Sequence, residues 1–141
     1  MPPGLTITVV DRDIDYIGIE IRATSGRFAG STWIYADLDD LSRLADAIKG
    51  FPKSANDERT FTFGSRDPAT AGGYASLTFR CVDASGHSVL EIAFEDDENR
   101  YSEANAQFTL PVEAAGIDRF VNALRDLERN RSVEAVLHSA R

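Results

Sequence analysis

Asp11, Asp13 and Asp15 have the one-three-five spacing that opens a calcium-binding loop. The rest of that template is missing. Tyr16 stands where a glycine must make the sharp turn, and Arg22 stands where a bidentate glutamate must close the site, so the three aspartates read as a solvated strand connection. A second acidic run, Glu95-Asp96-Asp97-Glu98, carries four adjacent carboxylates, which suit a charged hairpin tip better than a shaped cation site. The two imidazoles, His87 and His138, are far apart and have no cysteine or histidine partner at zinc spacing. His87 is expected on an exposed hairpin and His138 near a helix C-terminus. The single thiol, Cys81, shares an alternating apolar face with Leu77 and Phe79, which predicts a buried, unreactive side chain. No GxSxG, GxGxxG or GxxxxGK[ST] pattern occurs. These readings predict no catalytic residue, no cofactor and no metal, and hence a protein that is not an enzyme.

Recognition is the chemistry that remains. The 141 residues carry 15 basic and 23 acidic side chains, a net charge of -8. Residues 1–118 hold ten basic and 20 acidic groups, whereas five arginines give residues 119–141 a small positive excess. An acidic body repels phosphate backbones and anionic bilayers, which argues against nucleic acid and membrane surfaces and for a basic protein partner. Asp96, Asp97 and Glu98 are the expected partner-binding residues, with the turn-rich Ser65–Gly73 segment as an adaptable neighbour. Arg119, Arg125, Arg129 and Arg131 are expected to pair with the acidic body. The alternative is a small-molecule-binding domain or minor enzyme with a pocket between sheet and helices, with Trp33 and Tyr35 as ligand-binding residues and Tyr74 or Tyr101 beside them. Trp33, directly before a helix start, is expected in the core. A lone cysteine and a start without an apolar signal segment predict a cytoplasmic protein, monomeric or paired through an uncovered sheet face.

Two kinds of periodicity give the elements that must position these residues. Apolar side chains alternate over Leu5–Val9, Ile17–Ala23, Phe28–Ala36, Arg59–Gly64, Ala75–Cys81, Leu90–Phe94 and Ala104–Leu110, the pattern of half-buried strands. Glu95–Arg100 is expected as a charged loop. Leu41, Leu44, Ile48 and Phe51 recur at helical spacing, and Ile117, Phe120, Leu124 and Leu127 repeat the same three-four-three interval. They predict helices over about 38–51, capped by Asp37, and about 113–130, with the tail Ser132–His138 as a further helical turn. The expected fold is α+β: one domain over 1–141, a mainly antiparallel twisted sheet of about six to seven strands, order βββα-ββββα, with an internal pseudo-repeat suggested by the matching helices.

The order of framework residues resembles a known group. It comprises Trp33-Ile34-Tyr35 with Asp37, Leu41-Ser42-Arg43-Leu44, Phe63-Gly64, the Leu77–Phe94 hairpin, Phe108-Thr109-Leu110-Pro111 and Ile117-Asp118-Arg119-Phe120. Over about residues 28–130 this is similar to small, mostly uncharacterised bacterial cytosolic proteins, some of them resembling immunity proteins against wall-associated contact-dependent toxins. The resemblance implies noncatalytic binding and occlusion of a cognate toxin. It runs through hydrophobic framework positions and carries over no site residue.

Overall fold

Alternating apolar residues become paired strands along most of the chain in the computed structural model, which describes residues 2–65, 73–99 and 102–140. The elements are β1 (Gly4–Arg12), β2 (Ile17–Thr24), β3 (Ala29–Ala36), α1 (Asp40–Ile48), β4 (Glu58–Gly64), β5 (Tyr74–Cys81), β6 (Ser88–Asn99), β7 (Ser102–Val112), α2 (Ala114–Glu128) and β8 (Glu134–His138). The α+β antiparallel class is as the periodicity predicts. The strands form two sheets of four, ordered β3-β2-β1-β8 and β4-β5-β6-β7.

The tail corrects the sequence reading. Residues 134–138 form a strand, not a helical turn, and pair with β1 from Thr8↔Glu134 to Gly4↔His138. Asn130, at φ 59°, ends the helical path just beyond α2, and Ala135 and Leu137 then alternate into the core. Five alternating residues are too short a run to separate strand from helix by period alone. In chain order β1-β2-β3 runs into α1 and β4-β5-β6-β7 runs into α2, and β8 returns from the end of the chain to bring the first sheet to four strands.

Both helices are shorter than expected because their outer turns are loops whose apolar residues still reach the core. Phe51 lies beyond α1 and is buried all the same. Asp39, not Asp37, precedes α1, and the Asp40 carboxylate folds back to accept the Asp37 N–H at 3.0 Å. Arg59 of β4 closes the other end of α1. Its Nη1 donates to the carbonyls of Ala47 and Lys49, its Nε and Nη2 grip Asp57, and its guanidinium lies over the Phe51 ring.

One core unites the layers, with Leu5, Ile7, Ile19, Ile21 and Ile34 from the first sheet and Leu77, Phe79, Leu90 and Ile92 from the second. Leu41, Leu44 and Ile48 of α1 and Ile117, Phe120, Leu124 and Leu127 of α2 complete it. Arg125 joins the helices, donating to Asp46 and to the Ser42 carbonyl, and Ser42 in turn hydrogen-bonds Glu128. Edge strand β3 crosses the ends of the second sheet. Ile34 lies near Gly64 of β4, the Trp33 carbonyl accepts the Gly73 N–H at 2.8 Å just ahead of β5, and Gly30 abuts Ala106 and Phe108 of β7. Glycine is required at this crossing, since a Cβ on Gly64 would collide with the Gly73 carbonyl and one on Gly73 with Thr32 Oγ1.

Candidate protein-binding site

The outward faces of the two sheets differ in chemistry. The second sheet turns Thr60, Thr62, Ser76, Thr78, Arg80 and Glu91 outward, with a hydroxyl pair between Thr60 and Thr78 and an ion pair between Arg80 and Glu91. That is an ordinary solvated face. The first sheet turns out Trp33 and Tyr35, which are 53% and 55% exposed.

Their outward position follows from register and corrects the expectation of a buried tryptophan. In a strand one of two neighbours must face out, and the inward places of β3 are held by Thr32, Ile34 and Ala36, Ile34 being 1% exposed. Trp33 stands opposite Glu20 and Tyr35 opposite Gly18. With no side chain at Gly18, Tyr35 has an open neighbour, and the Tyr16 ring meets it edge-on at 5.2 Å between centroids. Val10, also exposed, approaches the same glycine from β1. Tyr16, Tyr35, Trp33 and Val10 therefore form one strip across the open face. Trp33 and Tyr35 point away from the helices, so they do not line a pocket between sheet and helices.

Carboxylates surround this strip. Glu134, Thr8, Glu20 and Trp33 occupy one row across the four strands. Asp11, Asp13 and Asp15 lie at the β1–β2 connection, and Asp37 follows β3 at the same end. The negative charge of Asp13, with Asp11 adding, raises the Tyr16 phenol above its ordinary pKa. The nearby cations are engaged: Arg22 pairs with Glu20 at 2.5 Å, and Arg12 donates to the Leu127 carbonyl at the end of α2. The sequence singles out Trp33 and Tyr35 but assigns the aspartates around them only to a strand connection and a helix start. Their convergence on one rim comes from the antiparallel pairing of β1, β2 and β3.

The expected acidic hairpin is in a different form from the loop foreseen at 95–100. Pairing with β5 ends at Tyr74↔Glu95, but β6 and β7 stay paired through Asp96↔Ala104, Asp97↔Glu103 and Asn99↔Ser102. The result is a two-stranded arm reaching past the rest of its sheet. The polar sequence reads as a loop because it carries no apolar alternation, while cross-strand pairing continues. Asp96 is exposed on it. The adaptable segment expected at Ser65–Gly73 and Tyr101 fall largely or wholly outside the described residues.

The remaining groups of interest are accounted for locally. Cys81 is 6% exposed, and its thiol points to the Asp83 carbonyl. His87 is exposed as expected, and its Nδ1 lies 2.6 Å from Asp83, whose pKa the histidine contact lowers. His138 lies in β8 rather than near a helix end. The carboxylates of Asp37, Asp39 and Asp40 sit together, but Asp40 is committed to the Asp37 N–H and to Arg43, and burial raises its pKa. Among the described residues no helix is long and apolar enough to cross a membrane.

Comparison with protein-family models, curated proteins and solved structures finds no match for the chain.

Proposed function

We infer that this is a noncatalytic protein-binding domain whose first sheet takes a basic protein partner on its open face. The observation that carries the reading is the placing of Trp33 and Tyr35, side by side in strand β3, more than half exposed and ringed by carboxylates. Exposed aromatics at the centre of a patch are the residue types that dominate binding energy, while surrounding charge steers encounter and selects the partner's sign. A second copy of this chain fits the face poorly, because each copy carries a net charge of -8.

The framework resemblance to immunity proteins supports a finer reading, in which the partner is a toxin, held and occluded in the cytoplasm without chemical change. The test has two stages. The immobilised protein should retain a basic protein from a lysate of its source, released by salt, and Trp33→Ala with Tyr35→Ala should lose it. The purified partner's toxicity should then fall to zero at one equivalent of this chain. Retention by the double variant overturns the binding reading; a partner whose activity survives saturation overturns the inhibitor reading alone.

A further inference from the structure

The outer edge of β7 is a long strand edge along which, among the described residues, no strand pairs. The other sheet edges are shorter or engaged: β8 has five residues, Arg59 of β4 is tied to the end of α1, and the Trp33 carbonyl of β3 is taken by Gly73. On β7 the last residues are closed by the C-terminal segment, where Ala140 N–H and Ser139 Oγ both donate to the Pro111 carbonyl. Among the described residues nothing pairs along this outer edge with Ser102 to Leu110, a stretch of roughly 30 Å at about 3.3 Å per residue. Beside its second half lies an open cleft of about 400 Å³ between β7 and the β2–β3 turn, lined by Phe28, Ala29, Ala106 and Phe108 among others. Phe28 is 75% exposed at its rim.

An unguarded edge invites strand addition, and its charge decides what can add. Positions 95–103 hold five acidic residues against one basic residue, Arg100. Glu103 is exposed on the arm that this acidic run forms, so a strand added there meets negative charge. Two copies joined along β7 would each carry a net charge of -8, so the charge opposes self-pairing and favours a cationic strand. Alternation fixes the rest. Ala104, Ala106 and Phe108 share the inward side of β7, whereas Glu103, Asn105, Gln107 and Thr109 share the outward side.

We propose that the β7 edge receives an extended segment of a basic protein partner as a fifth strand of the second sheet. Its apolar residues alternate toward Phe28 and Phe108, and its Lys or Arg residues alternate toward Glu103. This rests on the binding reading above and supplies it with a second contact. The open face of the first sheet offers only roughly 500 Å² by strand spacing and length, below the ~800 Å² per partner of a stable interface.

The test uses the full chain, ¹⁵N-labelled, and three nine-residue probes: alternating Lys and Val, alternating Glu and Val, and the Lys-Val peptide N-methylated at alternate residues. The expected result is saturable binding of the Lys-Val peptide, with shifted and exchange-protected amides confined to 102–110. N-methylation or Glu103→Lys should weaken it about tenfold, and Phe28→Ser severalfold. Phe28 and Glu103 are exposed, so both variants should fold, and the methylated probe needs no variant at all. Absence of shifts at about 1 mM peptide, equal binding of the Glu-Val or methylated probe, protection elsewhere, or dimers by light scattering each overturn the proposal. The two readings fail separately: loss of captured partner on Trp33→Ala with no peptide at β7 sinks strand addition alone, whereas capture indifferent to Trp33 and Tyr35 sinks the binding face whatever the peptide does.

Discussion

Replacing Trp33 with alanine should cost the fold little and the complex much, and the same change at Ile34 should do the reverse. About half of Trp33 is covered. A fully buried tryptophan hides up to ~250 Å², so half of that at ~25 cal/mol/Å² sets a ceiling of about 3 kcal/mol on its contribution to stability. The alanine Cβ, a compact unfolded chain and the lack of an enclosed void on an open face bring the expected loss to about 1 kcal/mol. Ile34 is 1% exposed and packs where β3 crosses the second sheet. Its truncation leaves a closed cavity and should cost ~2–5 kcal/mol, lowering Tm by roughly 10 °C for a domain of this size. In the complex the order inverts. A central tryptophan contributes ~2 kcal/mol or more, so Trp33→Ala should weaken binding at least about 30-fold, while the folded fraction of Ile34→Ala should bind within about threefold of the parent. Urea melts and calorimetric titration against the captured partner measure both quantities. If Trp33→Ala binds like the parent, or if its affinity falls only as far as its stability does, the reasoning about the open face is wrong.

Other expectations follow from the charges and the core. Changing Asp11, Asp13 and Asp15 together to Asn should slow association with the basic partner and flatten its salt dependence, leaving dissociation nearly unchanged; stopped-flow fluorescence of Trp33, the chain's one tryptophan, reads this directly. Asp96→Lys should act in the same direction if the arm takes part in encounter, and an unchanged rate would remove the arm from it. Hydrogen bonding from Arg59, with the Lys53 N–H adding, holds Asp57 below its ordinary carboxylate pKa. The unfolded chain therefore takes up this proton first as pH falls, and the stability Asp57 contributes is full above a pH of about 4 and lost below it. Asp57→Asn should accordingly be less stable than the parent at pH 7, with the gap narrowing as pH falls below about 4 in urea melts; a gap independent of pH would contradict the pairing. Cys81, buried with its thiol on a backbone carbonyl, should resist a maleimide in the native protein and react at once in denaturant.

Much of this architecture was legible because burial writes its period into the chain. Ile17, Ile19 and Ile21 alternate against Gly18, Glu20 and Arg22 and form β2, and the matching stripes at Leu41–Ile48 and Ile117–Leu127 form the two helices. Where the pattern was silent, the cause is physical. Five residues at 134–138 carry too few turns of either period to show that they close the first sheet. The arm beyond Glu95 is held by backbone pairing of polar residues, so its strands leave no apolar mark. Trp33 and Ile34 are both strongly apolar, and composition alone cannot say which faces in; the crossing at Gly64 and Gly73 decides for Ile34. The candidate face was half visible. Trp33 and Tyr35 stood out by type, but the rim of Asp11, Asp13, Asp15 and Asp37 comes from antiparallel pairing of segments up to 26 residues apart and leaves no local signal.

Hydroxyl-radical footprinting of the free protein and of its complex with the captured partner tests the central claim most directly, because it reads side-chain exposure at tryptophan and tyrosine. The account predicts that Trp33, Tyr35 and Tyr16 are oxidised in the free protein and protected together in the complex, while His87, exposed at the far turn of the second sheet, is unchanged. Trp33 and Tyr35 oxidised as fast in the complex as in the free protein would contradict it.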